Sequence, residues 1–292
     1  MSVERDCVAV VMPCWNLCEI TQDAVESILR NRGDYKVRFI FVDNGSMDGT
    51  ASFLRTVPEA EIITNETNLG IGPGINLGFA RMMELEPQPE FYSLICNDVL
   101  CGPNFLNPVF PFMREYGEKE WAVSAHQTLG HPFPVGALVL GWKDIIFFEG
   151  MARRSAKAAR GLREYDYFKQ GLGATSIQFF TRKQVELWHP IPKGISNVAA
   201  SWWEFALPYN DYRLCQLSDS VVYHRGGLSL LRILEVNPQY RGSFSGLVAE
   251  EIMPLREARI AYRDNHPCRD TSCSYFQEGV CLSYPACAKW SF

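Results

Sequence analysis

Residues 92–100, YSLICNDVL, form an apolar run that ends on two polar residues, Asn97 and Asp98. An apolar run of this length is typical of a buried strand, and open α/β sheets place their chemistry just beyond the ends of such strands. A carboxylate at that position either binds a metal ion or has a structural role at the end of the strand. Only one carboxylate is present. The segments that follow the other apolar runs must decide between these interpretations.

Two further polar segments follow apolar runs earlier in the chain. Residues 42–50, VDNGSMDGT, hold Asp43, which can accept hydrogen bonds from a base or a ribose, while Ser46 or Asp48 can cap the next helix. Residues 68–80, NLGIGPGINLGFA, carry glycines that let the backbone approach a flat ligand closely. A third polar loop, Pro13-Cys14-Trp15-Asn16, follows the first apolar run. Helix capping alone explains one such loop, but three polar loops at one sheet edge favour a nucleotide pocket.

The elements that position these loops alternate between strand and helix. Short apolar runs predict buried strands at residues 8–12, 37–42, 61–64 and 92–96. Apolar residues at helical spacing lie between the runs; Gly33 ends the first predicted helix, and Pro73 suits the first turn of the third. This alternation predicts parallel β-α-β units with right-handed crossovers, so the polar loops should meet at one sheet edge.

The second half of the chain is less regular. Strands are predicted at residues 121–125, 135–140, 175–180 and 220–223. Residues 151–170 carry six basic residues against two acids, which suits a lid over a diphosphate, an acceptor contact or a solvated helical face.

A shift in composition divides the chain. From about residue 264, Cys, Pro, Ser and aromatic residues dominate, which predicts a main domain over 1–263 and a Cys-rich tail over 264–292. Within the main domain we expect three regions: a nucleotide-binding half, an acceptor and metal half, and a helical extension. These regions are residues 1–100, 101–230 and 231–263.

Composition and charge exclude several classes of protein. A formal net charge of −5 provides no general basic field for nucleic acid, and no apolar stretch reaches the roughly 18 residues of a membrane span. The amino terminus lacks the pattern of a signal peptide, so we expect a reducing, cytoplasmic setting. Four of the ten cysteines crowd into the last 25 residues, where such a setting favours a metal over disulfides.

Five motifs together resemble the family-2 glycosyltransferases of the GT-A fold. They are VVMPCWN, FVDNGSMDGT, NLGIGPGINLG, ICND and DYRLCQLSDSVVYHRGG, and the likeness covers residues 7–230. Residues 68–78 are most similar to the branch that includes rhamnosyltransferases. The resemblance implies an α/β GT-A (Rossmann-like) nucleotide-diphospho-sugar transferase fold, with a mixed central sheet flanked by helices.

The resemblance also implies the ligands. The donor would be a UDP- or dTDP-linked sugar, transferred with inversion to a hydroxyl of a glycan, lipid, protein or modified nucleic acid. The expected donor-binding residues are Pro13, Trp15, Asn16, Asp43, Asn44, Ser46, Asn68, Gly70, Gly74, Asn76 and Asn97.

A divalent metal, Mn²⁺ or Mg²⁺, would bridge the donor's diphosphate. In this family the fourth strand ends in an Asp-x-Asp-like motif, and Asp98 matches its final acid. One carboxylate suffices because phosphate oxygens and water complete the octahedron. The second protein ligand would be His224, which could instead have a structural role beside Gly226 and Gly227.

The family draws its catalytic base from an acidic pair that opens a helix. This chain reads SWWEFALPYNDYRL there, so Glu204 stands alone, the segment is shorter, and Pro208 interrupts it. Glu204 is the predicted base and Asp211 the alternative. Trp202 and Trp203 could stack on a sugar or belong to the core.

The tail resembles a degenerate CCCH zinc finger. Its spacing matches at Cys273, Cys281 and Cys287, but Ser291 stands where the closing histidine would fall. Either His266 or Cys268 could supply the fourth ligand, which predicts a bound Zn²⁺; the alternative is four unliganded cysteines in a small satellite core.

Two other functions remain open from sequence. The weakened acidic pair suits a non-catalytic nucleotide-sugar or RNA-binding protein on a degenerate transferase fold, whereas the intact strand-end motifs and Asp98 favour an enzyme. A nucleotidyltransferase is a more distant alternative, because its basic, glycine-rich entry loop does not follow the first strand.

Overall fold

The computed structural model describes most of the first half of the chain and shorter stretches beyond it. These residues are 2–118, 121–128, 176–195, 199, 202–203, 206–207, 210, 212–225, 253–255, 257–262, 265, 276–277 and 280–281. The strands among them are β1 (Val3–Cys14), β2 (Lys36–Asp43), β3 (Glu61–Thr64), β4 (Gln88–Ile95), β5 (Val99–Cys101), β6 (Trp121–Thr128), β7 (Ile177–Phe180), β8 (Arg213–His224), β9 (Phe276–Gln277) and β10 (Val280–Cys281).

The described helices lie between these strands along the chain. They are α1 (Cys18–Asn31), α2 (Thr50–Leu54), α3 (Ile71–Met83), α4 (Val109–Phe112) and α5 (Arg182–Trp188). A π-helical turn, Met113–Gly117, continues α4. Within the predicted extension 231–263, residues 253–255 and 257–262 are helical. No helix in the described part of the chain is long and apolar enough to cross a membrane.

Eight strands form one mixed sheet in the order β3-β2-β1-β4-β7-β6-β8-β5. Strands β1 to β4 are parallel, as the alternation predicted. Strand β7 runs antiparallel to β4 and β6, while β8 is parallel to β6 and antiparallel to β5. The carboxyl ends of the first four strands therefore lie at one edge of the sheet.

Helices cover both faces of the sheet. Along β1, Val10 and Met12 belong to one apolar cluster with residues of α1, whereas Ala9 and Val11 belong to a second cluster with residues of α3. Burial on both faces explains why β1 reads as a continuous apolar run without polar alternation.

Gly78 sets how closely α3 approaches β1. A Cβ at this position would collide with Cγ1 of Val11 and lie 2.9 Å from its Cγ2. We expect Gly78→Ala to lower the free energy of unfolding, because overpacking costs about 1–3 kcal/mol and the better helix propensity of alanine returns only about 0.5–1 kcal/mol. Urea unfolding measures the change. In a Val11→Ala background the same substitution should cost nothing; an equal cost in both backgrounds would rule out the collision.

A bulge in β8 shapes the sheet beside the predicted metal site. Ala125 and His126 of β6 are consecutive, but their partners on β8 are Leu217 and Val221, so residues 218–220 have no partner on β6. The connection from Ile95 to Val99 spans at most about 14 Å. A flat sheet would place β4 and β5 four strand spacings apart, about 19 Å. The sheet therefore curves, and bulges bend strands in this way.

The structure confirms three of the four later strand predictions. Residues 121–125 lie in β6, 177–180 form β7, and 220–223 lie in β8. The predicted strand 135–140 and the basic segment 151–170 lie outside the described residues. Strand β5 and the helical segment 109–117 had no counterpart among the predictions.

Candidate donor and metal site

The loops after β1, β2 and β3 meet as an extension of the strand ladder. Cys14 pairs with Asp43, and Asp43 pairs with Thr64. Beyond these pairs, Asn44 N–H donates to the Cys14 carbonyl at 2.8 Å, and Asn65 N–H donates to the Asp43 carbonyl at 2.8 Å. The loops after β1, β2 and β3 thus form one surface at the sheet edge.

Three of the predicted donor-binding residues hold one another in place. Asp43 is 1% exposed, and its Oδ1 accepts the Ser46 backbone N–H at 3.0 Å. Ser46 Oγ accepts the Asn16 N–H at 2.8 Å, and Asn16 Oδ1 accepts the Met47 N–H at 2.9 Å. Gly45 has φ +73°, and a Cβ there would lie 2.9 Å from the Glu66 carbonyl oxygen, so this turn requires glycine.

Asp48, rather than Ser46, holds the ends of both adjoining helices. Its Oδ1 accepts the Thr50 N–H at 2.8 Å at the start of α2, and its Oδ2 accepts the Cys18 N–H at 3.1 Å at the start of α1. Burial raises the pKa of Asp48, but hydrogen bonds from Thr50, Cys18 and Leu17 outweigh it and lower the pKa overall. A carboxylate therefore occupies the amino terminus of α1, where helix N–H groups attract anions.

The third loop is bound to the second through side-chain amides. Asn44 Nδ2 donates to the Gly70 carbonyl at 3.2 Å, and its Oδ1 accepts from Asn65 Nδ2 at 2.8 Å. Asn68 Oδ1 accepts the Gly70 N–H at 2.9 Å. A Cβ on Gly74 would lie 3.2 Å from Asn44 Nδ2, so this glycine lets α3 approach the second loop.

Asn76 and Asn97 have structural partners. Asn76 Nδ2 donates to the Ile191 carbonyl at 2.8 Å and its Oδ1 accepts the Ile191 N–H at 2.7 Å, which fixes α3 to the segment after α5. Asn97 Nδ2 donates to Thr21 Oγ1 of α1 at 3.0 Å. Donor binding stays a prediction for all eleven residues, including Pro13 and Trp15, which is partly exposed.

The structure brings Asp98 and His224 together. Asp98 Oδ1 lies 3.2 Å from His224 Nε2, and the two side chains are 4% and 22% exposed. His224 pairs with Val99 across the β5–β8 ladder, and Arg225 N–H donates to the Asp98 carbonyl at 2.9 Å. The bend in β8 and the chain turn after β4 therefore deliver both predicted metal ligands to one point.

This pair fits a divalent cation. In an octahedron with bonds of about 2.0–2.1 Å, neighbouring ligand atoms lie about 3 Å apart, close to the 3.2 Å between Asp98 Oδ1 and His224 Nε2. The described residues contain no group of three or more His, Cys, Asp or Glu side chains that could hold a metal. For an ion bound by this described pair, a diphosphate and water can complete the octahedron.

The pair also attracts a proton when no cation is bound. Burial lowers the pKa of His224, but the charge and hydrogen bond of Asp98 outweigh it and raise the pKa overall. Metal ions bind the unprotonated imidazole, so a bound cation would replace this proton.

Both predicted catalytic acids, Glu204 and Asp211, lie outside the described residues. Their described neighbours belong to the core: Trp203 is 1% exposed and its ring centroid lies 5.6 Å from that of Trp188. Trp202 Nε1 donates to the Trp188 carbonyl at 2.6 Å. Packing, rather than sugar stacking, accounts for both tryptophans.

The predicted zinc ligands are described only at Cys281, whose backbone in β10 pairs with Phe276 of β9. The other four residues lie outside the described residues, so zinc binding stays a prediction. They are His266, Cys268, Cys273 and Cys287.

Comparison with known proteins gives one family match, which covers part of the amino-terminal half. Residues 9–118 match the family model Glycosyl transferase family 2. No curated protein sequence matches the chain.

Among solved structures, residues 1–349 of S. aureus TarS in complex with UDP match with a TM-score of 0.52 and 15% identity, over 74% of this chain and 59% of that one. The mannosyltransferase PcManGT from Pyrobaculum calidifontis, in complex with GDP-Man and Mn²⁺, matches with a TM-score of 0.51 and 15% identity, over 89% and 75%. The chain thus spans 59% of the length of that TarS structure. These matches confirm the predicted GT-A fold; the rhamnosyltransferase branch stays a prediction.

Proposed function

We propose that this protein is a metal-dependent glycosyltransferase that moves a sugar from a UDP- or dTDP-linked donor to an acceptor hydroxyl with inversion. The observation that carries the proposal is the contact between Asp98 and His224 at the edge where the polar loops meet. The match of residues 9–118 to family-2 glycosyltransferases supports it. So does the presence of UDP, UDP-GlcNAc, or GDP-Man with Mn²⁺ in structures of the same fold.

The amino terminus of α1 favours a metal as the partner of the diphosphate. In dinucleotide-binding Rossmann folds the pyrophosphate lies at the amino terminus of the first helix. Here that terminus already holds the Asp48 carboxylate, which accepts the Cys18 N–H. A diphosphate at this position would meet a negative charge instead of free N–H donors. Charge compensation must come from elsewhere, and Asp98 with His224 provides a place for a cation.

The remaining roles are those that the family resemblance implies. Asp43, buried at the end of β2, accepts hydrogen bonds from the nucleoside. Asp98 and His224 would hold the ion, which would supply positive charge to offset the charge on the leaving diphosphate. Glu204 takes the proton of the acceptor hydroxyl while that oxygen bonds to the sugar carbon and the bond from carbon to the diphosphate breaks.

A screen of nucleotide sugars tests the proposal. Purified protein is incubated with UDP-, dTDP- and GDP-linked sugars, with Mn²⁺ or with a chelator, and the released nucleoside diphosphate is quantified. We expect slow hydrolysis of a UDP- or dTDP-sugar with Mn²⁺ and none with the chelator. Tight donor binding with neither hydrolysis nor transfer would instead identify a non-catalytic nucleotide-sugar-binding protein.

A further inference from the structure

Helix α1 carries polar side chains on a face that packs against residues 97–101 and Arg225, next to the proposed metal ligands Asp98 and His224. Thr21 and Ser27 are 0% exposed and Asn31 is 7% exposed, although helix faces that pack on a sheet are usually apolar. We call these residues and Asp23 the polar seam of α1. Each member bonds to residues 97–101 or to Arg225.

Three members of the seam form hydrogen bonds with residues 97–101. Thr21 Oγ1 accepts from Asn97 Nδ2 at 3.0 Å, beside Asp98. Ser27 Oγ accepts the Cys101 N–H at 3.0 Å, and Asn31 Nδ2 donates to the Cys101 carbonyl at 2.8 Å. The segment before β5 and the carboxyl end of β5 are therefore fixed to α1, in addition to the ladder with β8.

The seam also contains a largely buried ion pair. Arg225 Nη2 lies 2.6 Å from Asp23 Oδ2, with the two side chains 3% and 16% exposed. Among the described residues, Arg225 Nε and Nη1 have no hydrogen-bond partner, so Asp23 is the acceptor on which the buried guanidinium depends. Arg225 follows His224 directly, and its N–H donates to the Asp98 carbonyl at 2.9 Å.

The sheet alone fixes this region weakly. Strand β5 has three residues and lies at the edge of the sheet, so three residue pairs join it to β8. Asp98 and His224 come from distant parts of the chain, and a metal site tolerates little error in the relative position of its ligands. The contacts of α1 with residues 97–101 and with Arg225 further restrict the relative position of Asp98 and His224.

We propose that Asp23 and Arg225 are positioning residues, which hold the end of β8 against α1 so that His224 and Asp98 are spaced for a divalent cation. This inference rests on the proposed function, because it assigns the pair to metal binding. It predicts that the charges matter for metal affinity beyond their effect on stability.

The test compares three variants with the wild type. Asp23→Asn leaves the buried guanidinium without its carboxylate. The double variant Asp23→Leu with Arg225→Met removes both charges, and replacing a buried ion pair by apolar residues commonly preserves stability. Glu90→Gln is the control, because Glu90 pairs with Arg114 at 2.6 Å, its side chain is 6% exposed, and it lies near the amino end of β4.

Two quantities are measured for each variant: the Mn²⁺ dissociation constant with UDP present, by calorimetry, and the melting temperature. We expect Asp23→Asn to weaken Mn²⁺ binding about 10- to 100-fold, the range seen when groups that orient metal ligands are lost. The double variant should have a melting temperature close to that of the wild type, but its Mn²⁺ affinity should stay as weak as that of Asp23→Asn. Glu90→Gln should lower the melting temperature and keep the affinity.

Two outcomes overturn the inference, and they are distinguishable. If the wild type binds Mn²⁺ with UDP and the double variant does so equally well, the ion pair is structural only and the proposed function stands. If the wild type shows no Mn²⁺ binding with UDP, the metal assignment fails, and this inference fails with it.

Discussion

In the Asp98→Ala variant, we expect the affinity for UDP to be the same with Mn²⁺ as with a chelator. In the wild type, Mn²⁺ should tighten UDP binding about 5- to 150-fold, the usual range of coupling between two bound ligands, because the ion offsets the repulsion between the Asp98 carboxylate and the diphosphate. Asp98 is 4% exposed and in contact with His224, so its loss removes the anionic half of the pair. Calorimetric titration of UDP under both conditions measures the ratio.

The control is Glu19→Ala, which removes an exposed acid from the first turn of α1 at the same sheet edge. It should retain the wild-type ratio, because Glu19 lies outside the proposed metal pair. Equal UDP affinity with Mn²⁺ and with a chelator in the wild type would refute the metal assignment. Circular dichroism confirms that Asp98→Ala remains folded.

Glu204→Gln should slow sugar transfer by about 10²–10⁴-fold, the usual contribution of a positioned general base. Glutamine keeps the size of the side chain but cannot accept the proton of the acceptor hydroxyl. The Kd of the donor should change little, because the residues proposed to bind the nucleoside and the metal are others. Initial rates at saturating donor, together with donor Kd values, separate the two effects.

Asp211→Asn serves as the matched comparison for Glu204→Gln. Near-normal turnover in Glu204→Gln with loss of turnover in Asp211→Asn would move the base to Asp211. If both variants keep normal rates in an active enzyme, the base lies outside this segment.

The strands that end at the proposed donor site could be predicted because the sequence pattern of each one is local. Strands β1, β2 and β4 are buried on both faces, and such strands appear in the sequence as apolar runs ending in polar residues. Strand β5 gives no such signal, since its three residues continue the apolar pattern after Asp98. The unpaired residues 218–220 of β8 are equally hidden, because a bulge depends on the register with a partner strand.

The polar seam of α1 shows a second limit of sequence reasoning. Thr21, Ser27 and Asn31 resemble residues of a solvated helix face, yet all three are buried. Their partners, Asn97 and Cys101, lie more than 65 residues further along the chain, so no local pattern reports the contact. Asp98 and His224 were predicted as a pair by family resemblance, which carries long-range information that periodicity lacks.

The carboxylate at the amino terminus of α1 has a kinetic consequence. Asp48 and Asp98 both lie at the sheet edge proposed to bind the donor, so a diphosphate that binds there comes close to two carboxylates. In the proposed enzyme, a donor that arrives without its cation meets repulsion, whereas a donor that arrives with the cation meets ligands. The preferred order is therefore binding of the ion before or together with the donor. In the same enzyme, the free nucleoside diphosphate left after transfer would be held only while the ion remained, so loss of the ion would also release the product and reset the site for the next turnover.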